Sequence, residues 1–339
     1  MTSTSPFEAN IAEQPGALRD FAHLPMVEGV EKIQLESFDR IILTGMGASH
    51  HCALPTWRQL VASGHPAWWL STSELLDSPA LLTNNSLLWI TSQSGRSGEV
   101  VALLDEIEGR RPSFILGVTN DLASPLGERS DVVADLCSGD EATVSSKSYL
   151  NSLAAHRVLT EKMMGVEESE SLRTVLTAAD ELSSWSAPTD AIRAMATGAL
   201  AFGAPRIALI GSGNQSASAL LGALVIKEAA KVSAEGFVGG EFRHGPLEMA
   251  GPGLTALLYI GRGENRHIQQ LGSDLRESGS TVIEIGATRG GEIVTESSSE
   301  LSQMMLETKF TQLFSVELAR AQGFVPGEFR FGKKITSSL

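Results

Sequence analysis

The stretch from Leu87 to Val101 reads LLWITSQSGRSGEVV and contains the strongest indication of the fold. It opens with a continuous apolar run, which is typical of a strand buried on both faces of a sheet. From Gly98 onward the apolar residues recur at helical spacing. Hydroxyl side chains and a glycine lie between the two patterns. A strand, a turn and a helix in this order predict an α/β fold, with a parallel sheet flanked by helices.

The same alternation covers both halves of the chain. In the first half we predict strands at Ile41–Thr44, Ala67–Leu70, Leu87–Thr91, Phe114–Val118 and Val132–Asp135. In the second half we predict strands at Ile207–Ile210, Thr255–Ile260 and Thr281–Ile285. Residues 151–200 lack strand signals and are predicted to be mostly helical.

Two short motifs occur twice. RIILTGMG from Arg40 resembles RIALIGSG from Arg206, 166 residues later, and LLWI from Leu87 resembles LLYI from Leu257, 170 residues later. The agreement of the two offsets predicts two tandem domains that arose by duplication. We predict a helical N-terminal segment at 1–34, a first domain at 35–166, a helical linker at 167–200, a second domain at 201–325 and a C-terminal tail at 326–339.

Composition excludes several classes of protein. The chain has 339 residues, 42% apolar residues and a net charge of −14. An acidic chain is a poor electrostatic partner for nucleic acid or an anionic membrane, so we expect neither as a partner. Cys52 and Cys137 fit no zinc or disulfide pattern, and the N-terminus does not resemble a signal peptide. We therefore expect a cytoplasmic protein with reduced thiols and no metal or other cofactor.

Two loops that follow predicted strands are candidates for binding an anion. The more specific loop places Ser92, Ser94 and Ser97 around a glycine at the start of a helix, where unpaired N–H groups and hydroxyls can hold a phosphate. The other loop is Gly45-Met46-Gly47-Ala48-Ser49. As an alternative, the serines are ordinary caps and turn residues. A dinucleotide site is disfavoured because neither half contains a complete GxGxxG.

The second half contains two candidate acid–base groups. Glu228 lies in a predicted helix, where its carboxylate could take a proton from a carbon next to a carbonyl group. His244 follows 16 residues later in a loop shaped by glycine and proline, and histidine is the residue type most often used as a general acid–base group. The alternatives are a solvated helix carboxylate and a loop-capping histidine.

Six short motifs occur in order along the chain: Gly47-Ala48-Ser49, Ser92-Gln93-Ser94-Gly95-Arg96-Ser97, Ser145-Ser146-Lys147, Lys227-Glu228, Glu241-Phe242-Arg243-His244-Gly245-Pro246 and the tail at Lys333. The set resembles the isomerase half of glucosamine-6-phosphate synthase and the related phosphosugar enzymes with two sugar-isomerase (SIS) domains. The resemblance covers roughly residues 35–339 and implies two tandem SIS domains.

The resemblance also implies roles for individual residues. The sugar phosphate and nearby hydroxyls would be held by Gly47, Ser49, Ser92, Gln93, Ser94 and Ser97, and Ser145 would contact the sugar. Glu228 would move a proton between C1 and C2. His244 would act on the ring oxygen from the neighbouring subunit, which implies a homodimer, and Lys333 would lie over the sugar.

This chain departs from the synthase at three places. Thr2 follows Met1, where the synthase has a catalytic cysteine, so we expect no glutaminase domain. Ala48 replaces a threonine of the first loop. Val225 and Leu221 stand where the synthase has a lysine and a glutamate on the helix that carries its catalytic glutamate.

The resemblance therefore favours a deglycase that releases glucose 6-phosphate and an amine from a 6-phosphorylated glycated amine. The alternative within the family is a glucosamine-6-phosphate deaminase or an isomerase that uses ammonia. An alternative of another class is a phosphosugar sensor without catalysis.

Overall fold

The computed structural model describes residues 4–24, 27–109, 111–287 and 292–336. The chain forms two compact units. The first-sheet unit contains Gly16–Glu141, Lys147–Leu176 and Gly332–Leu339, and the second-sheet unit contains Met1–Pro15, Ala142–Ser146 and Thr177–Phe331. The predicted segment boundaries stay a prediction, and their parts at 1–3, 25–26, 110, 288–291 and 337–339 lie outside the described residues.

The first-sheet unit is built on five parallel strands in the order β2-β1-β3-β4-β5. The strands are β1 Arg40–Gly45, β2 Ala67–Ser71, β3 Ser86–Thr91, β4 Phe114–Thr119 and β5 Val132–Asp135. Apolar residues that alternate along the strands pack with the following helices; Ile42, Leu88 and Ile90 belong to one such buried cluster.

The second-sheet unit repeats this connectivity, with the order β10-β9-β8-β6-β7. Its strands are β6 Arg206–Gly211, β7 Ala234–Val238, β8 Leu254–Gly261, β9 Thr281–Gly286 and β10 Ile293–Val294. The fold class is therefore confirmed, and each predicted strand is observed within one residue of its predicted bounds. The prediction missed β7 and β10, because β7 contains Gly236 and small residues and β10 has only two residues.

Both faces of the second sheet are covered. Ile207 and Leu209 belong to a core cluster on one face, and Ala208 and Ile210 belong to a cluster on the other face. This alternation explains why the strands are continuous apolar runs in sequence.

Within each sheet, α-helices connect most successive strands, as expected for parallel connections. They are α1 Pro6–Ala22, α2 Ala48–His51, α3 Leu54–Ala62, α4 Thr72–Asp77, α5 Gly98–Glu106, α6 Pro125–Arg129, α7 Lys147–Met163, α8 Glu168–Ser184, α9 Thr189–Ala199, α10 Gln215–Ala230, α11 Arg266–Glu277 and α12 Glu300–Ala321. In the described part of the chain, no helix combines the length and apolarity needed to span a membrane.

Candidate functional site

The two predicted anion-binding loops lie side by side at the carboxyl edge of the first sheet. β1 pairs in parallel with β3, and Gly45 is the register partner of Thr91. The chain continues from β1 to β2 on one side of β1 and then to β3 on the other side. In doubly wound sheets, this switch point is where a ligand-binding crevice opens. The structure thus brings together the residues that we call the serine cradle: Gly47, Ser49, Ser92, Gln93, Ser94 and Ser97.

The turn after β3 has a shape that only glycine permits. The N–H of Ser92 donates to the carbonyl of Val118 at 3.0 Å, and the N–H of Gly95 donates to the carbonyl of Ser92 at 3.0 Å. Gly95 has a φ of +61°, and a Cβ atom there would lie 1.9 Å from Oγ of Ser124. A side chain is therefore excluded on both conformational and steric grounds.

The hydroxyl of Ser97 is the clearest sign of a ligand site. Ser97 is the N-cap residue of α5, but its side chain makes no capping hydrogen bond. Its Oγ is buried and has no hydrogen-bond partner among the described residues. A buried hydroxyl without a partner is destabilising, and an oxygen of a bound anion would supply one. The N-terminus of α5 favours a negatively charged ligand at the same place.

Arg96 lies in the same turn, but its positive charge is paired with Asp121. Its guanidinium pairs with Asp121 at 2.8 Å and donates to the carbonyl of Ala123 at 3.0 Å. The N–H of Arg96 donates to Oγ of Ser94 at 3.2 Å. The cradle therefore offers hydroxyls and N–H groups as ligands for an anion.

The first loop approaches the second closely. Gly47 has a φ of +52° and caps the short helix α2, which contains the half-buried Ser49. A Cβ atom on Gly45 would lie 2.7 Å from the carbonyl oxygen of Thr91. Glycine at this strand end lets the two loops share one edge of the sheet.

A buried histidine next to the cradle was not predicted. Nε2 of His156 on α7 lies 2.8 Å from Oγ1 of Thr91, the residue just before Ser92. The imidazole stacks on the indole of Trp89, with ring centroids 4.7 Å apart. Burial lowers the pKa of His156 to about 3, so the ring is neutral at pH 7. A histidine directly after the apolar run Leu153-Ala154-Ala155 was the available signal in the sequence.

The C-terminal tail belongs to the first-sheet unit. The N–H of Gly98, the first residue of α5, donates to the carbonyl of Thr336 at 2.9 Å. Lys333 is exposed and lies three residues before Thr336. Three residues span at most about 10 Å, so the Lys333 side chain lies within reach of the cradle. The neighbouring Lys334 pairs with the buried Glu141 at 2.5 Å.

Glu228 and Ser145 belong to the second-sheet unit. Glu228 is half-buried in the last turn of α10, and Nζ of Lys231 donates to its carbonyl oxygen. Lys231 closes the helix in the left-handed conformation, and burial lowers its pKa. Ser145 is half-buried, and its carbonyl accepts a hydrogen bond from Gln312 at 3.4 Å.

His244 is exposed on a firmly anchored loop. Phe242 is fully buried and meets Phe237 edge to face at 5.0 Å. Arg243 pairs with Asp274 at 2.7 Å, and the N–H of His244 donates to the carbonyl of Glu241 at 3.0 Å. The anchored neighbours hold the His244 backbone while its ring faces outward.

Within one chain, the second sheet separates Glu228 from His244. The helix α10 starts at the carboxyl end of β6 and returns toward the amino ends of the strands, so Glu228 lies near the amino edge. His244 lies beyond the carboxyl end of β7, which is itself five residues long. A strand of this length spans roughly 16 Å. The two side chains of one chain therefore do not meet.

The equivalent switch point of the second sheet contains no serine cluster. There, Nδ2 of Asn265 donates to Oγ of Ser212 at 2.6 Å, and Nε2 of Gln215 donates to Glu300 at 3.1 Å. The side chains at this edge bond to one another. Only the first sheet therefore shows a buried, unpartnered hydroxyl at its switch point among the described residues.

The structure thus contains two tandem doubly wound α/β domains, of which the first has a candidate anion-binding site. The chain matches the SIS domain family over residues 34–162 and 202–321, and it belongs to that family. It is 30% identical over 287 residues to a glutamine–fructose-6-phosphate aminotransferase (isomerizing) of Pyrococcus horikoshii, a match that covers 81% of this chain and 47% of that protein. The chain spans about half the length of the curated relatives it matches.

Solved structures share the fold over nearly the whole chain. The glucosamine-6-phosphate deaminase of Thermotoga maritima superposes with a TM-score of 0.80 at 21% identity, covering 98% of this chain and 99% of that chain. The C-terminal domain of glucosamine-fructose-6-phosphate aminotransferase from Francisella tularensis gives a TM-score of 0.78 at 18% identity, covering 96% and 99%. These structures share the fold, and the match to the SIS family model confirms the family recognised in the sequence.

Proposed function

We propose that this protein is a phosphosugar isomerase-type enzyme that acts at C1 and C2 of an amino-sugar or glycated-amine 6-phosphate. The observation that carries the proposal is the serine cradle at the β1/β3 switch point, with the buried and unpartnered hydroxyl of Ser97. Membership of the SIS family and the names of the similar proteins support a phosphosugar as the ligand. Ser145 contacts the sugar in this proposal.

The reaction that we propose first is deglycation. The substrate is a 1-amino-1-deoxyfructose 6-phosphate whose nitrogen carries an amino acid or another amine. Glu228 takes a proton from C1 and delivers one to C2, which converts the ketosamine into an aldose imine. Water adds to the imine, the C1–N bond breaks, and glucose 6-phosphate and the free amine leave.

His244 and Lys333 complete the proposed site. His244 acts on the ring oxygen of a sugar bound to the partner subunit in a homodimer, which its exposure and its distance from Glu228 of the same chain support. Lys333 lies over the sugar, which the position of the tail beside α5 supports.

An ammonia-dependent interconversion of fructose 6-phosphate and glucosamine 6-phosphate is the second candidate. The names of the aminotransferase and deaminase relatives favour it. Leu221 and Val225 favour the deglycase, because these buried apolar side chains stand where the resemblance places a glutamate and a lysine in the synthase. A site without that lysine lacks an amine that could react with the sugar carbonyl.

A coupled assay for glucose 6-phosphate release tests the proposal. The purified protein is offered 6-phosphorylated fructosyl-amino acids, glucosamine 6-phosphate, and fructose 6-phosphate with ammonia. We expect release from a fructosyl-amine, and we expect Glu228→Gln to lower turnover about 100-fold or more because the variant has no base. Glu235→Gln, on the exposed side of β7, is the matched control and should retain activity.

The other outcomes are equally specific. Turnover of glucosamine 6-phosphate alone would assign the protein to the deaminase or isomerase group. Binding of fructose 6-phosphate without turnover of any substrate would favour a phosphosugar sensor. An active Glu228→Gln variant would remove Glu228 from the mechanism.

A further inference from the structure

The C-terminal tail contains two adjacent lysines with different surroundings. Lys333 is exposed and has no ion-pair partner among the described residues, whereas Lys334 is half-buried against Glu141. Side-chain chemistry alone does not distinguish the two residues, and in the sequence only the family resemblance favours Lys333. In the structure, Lys334 is ion-paired, whereas Lys333 is exposed and can contact a ligand.

Glu141 is a buried hydrogen-bond acceptor. Its side chain has no exposed surface. Oε1 accepts the N–H of Ser148 at 3.1 Å, and Oε2 accepts the hydroxyl of Ser148 at 2.6 Å. Ser148 lies in the first turn of α7, where the helix dipole favours a carboxylate. A buried carboxylate needs a positive partner, and Nζ of Lys334 lies 2.5 Å from Oε2.

A second contact holds the tail two residues further on. The carbonyl of Thr336 accepts the N–H of Gly98 at 2.9 Å. Gly98 directly follows Ser97, so this contact places the tail at the start of α5, beside the cradle. The ion pair and this hydrogen bond together define the path of the tail immediately after Lys333.

We propose that Glu141 is a positioning residue that binds Lys334 and thereby holds the exposed amine of Lys333 beside the serine cradle. The role given to Lys333 rests on the proposed function, but the docking of the tail does not. Lys334 is accordingly a structural residue, and the adjacent lysine is the one that meets the substrate.

The test separates tail docking from turnover. Hydrogen exchange, followed by mass spectrometry, is measured for the tail and for the segment that contains Gly98 in the wild type, Glu141→Gln, Lys334→Met and Lys333→Met. We expect about tenfold faster exchange in Glu141→Gln and Lys334→Met, because each loses a charge-assisted hydrogen bond. Lys333→Met should exchange like the wild type, and Lys334→Arg should restore protection.

Turnover then reports on Lys333. We expect Lys334→Met to lower kcat about tenfold or more and Lys334→Arg to restore most of it, since the guanidinium can also pair with Glu141. Wild-type exchange in Lys334→Met would overturn the proposal whatever the activity, and Lys334→Met remains informative if the buried Glu141→Gln fails to fold. Faster exchange with unchanged kcat would also overturn it. Faster exchange in a protein that turns over none of the sugars would support the docking of the tail and refute the proposed function.

Discussion

Among individual residues, His156 lies outside the cradle but contacts the strand end from which the cradle begins. Its ring lies on Trp89 and bonds to Thr91, and all three are buried. Thr91 ends β3, so the contact fixes the point from which Ser92 and the following turn leave the sheet. The neutral imidazole offers one nitrogen to the threonine hydroxyl without bringing a charge next to the anion that we propose for the cradle.

We predict that His156→Gln flattens the dependence of stability on pH. The folded pKa is lowered from 6.5 to about 3, so the unfolded chain binds a proton that the folded chain does not, and stability falls as pH drops below 6.5. Between pH 7 and pH 5, this contribution is about 2 kcal/mol. Urea unfolding at several pH values measures it. The exposed His267→Gln is the control, and an equal slope in both variants would contradict the prediction.

At the element scale, the helix α12 is buried on nearly all sides although it carries many polar residues. Several of its polar side chains recur at helical spacing and bond to one another or to neighbouring elements. Nε2 of Gln303 donates to Glu307 at 3.0 Å, and the hydroxyl of Ser218 donates to Glu307 at 2.6 Å. One turn further on, Oγ1 of Thr311 lies 2.6 Å from the hydroxyl of Tyr259. Glu307 and the polar side chains around it thus satisfy their hydrogen bonds inside the second-sheet unit.

We predict that Glu307→Gln stabilises the protein at neutral and alkaline pH. Burial raises the pKa of Glu307 from 4.5 to about 8, so the folded chain retains a proton that the unfolded chain releases. Stability is then lost as pH rises from 4.5 through 8, and the loss between pH 5.5 and 7.5 is about 3 kcal/mol. Thermal unfolding across this range tests the change, with the exposed Glu277→Gln as control. A variant that still loses stability as the wild type does would refute it.

The elements were not equally predictable. Strands buried on both faces, such as β3 and β8, are apolar runs and were predicted within one residue. The edge strand β7 has Gly236 at its centre, because a Cβ atom there would lie 2.8 Å from the backbone of Ala219. Close packing against α10 requires glycine at this position, so the apolar side-chain pattern of a strand is interrupted there. Helix α12 was not predicted, because polar and apolar side chains are both buried around it, so the sequence lacks the single apolar stripe of an amphipathic helix.

At the scale of the whole molecule, the separation of Glu228 from His244 leads to a test of shared sites. If His244 acts in the partner subunit, a mixed dimer of Glu228→Gln and His244→Ala contains one intact site. Random exchange of the two inactive variants should then restore about a quarter of the wild-type activity, because half of the dimers are mixed and each has one working site of two. Demonstrated subunit exchange without recovery would contradict the proposal that Glu228 and His244 share a site across the dimer.

Local sequence patterns were enough to predict the two parallel sheets, their duplication and the position of the serine cradle. These features depend on neighbours along the chain: apolar runs, and serines and glycine at a strand end. The contact of His156 with Thr91 and the pairing of Glu141 with Lys334 became visible only in the folded chain. The tertiary structure also placed Glu228 and His244 at opposite edges of one sheet. Such pairings join residues far apart in the chain, so they depend on strand order and helix packing, which no local pattern specifies.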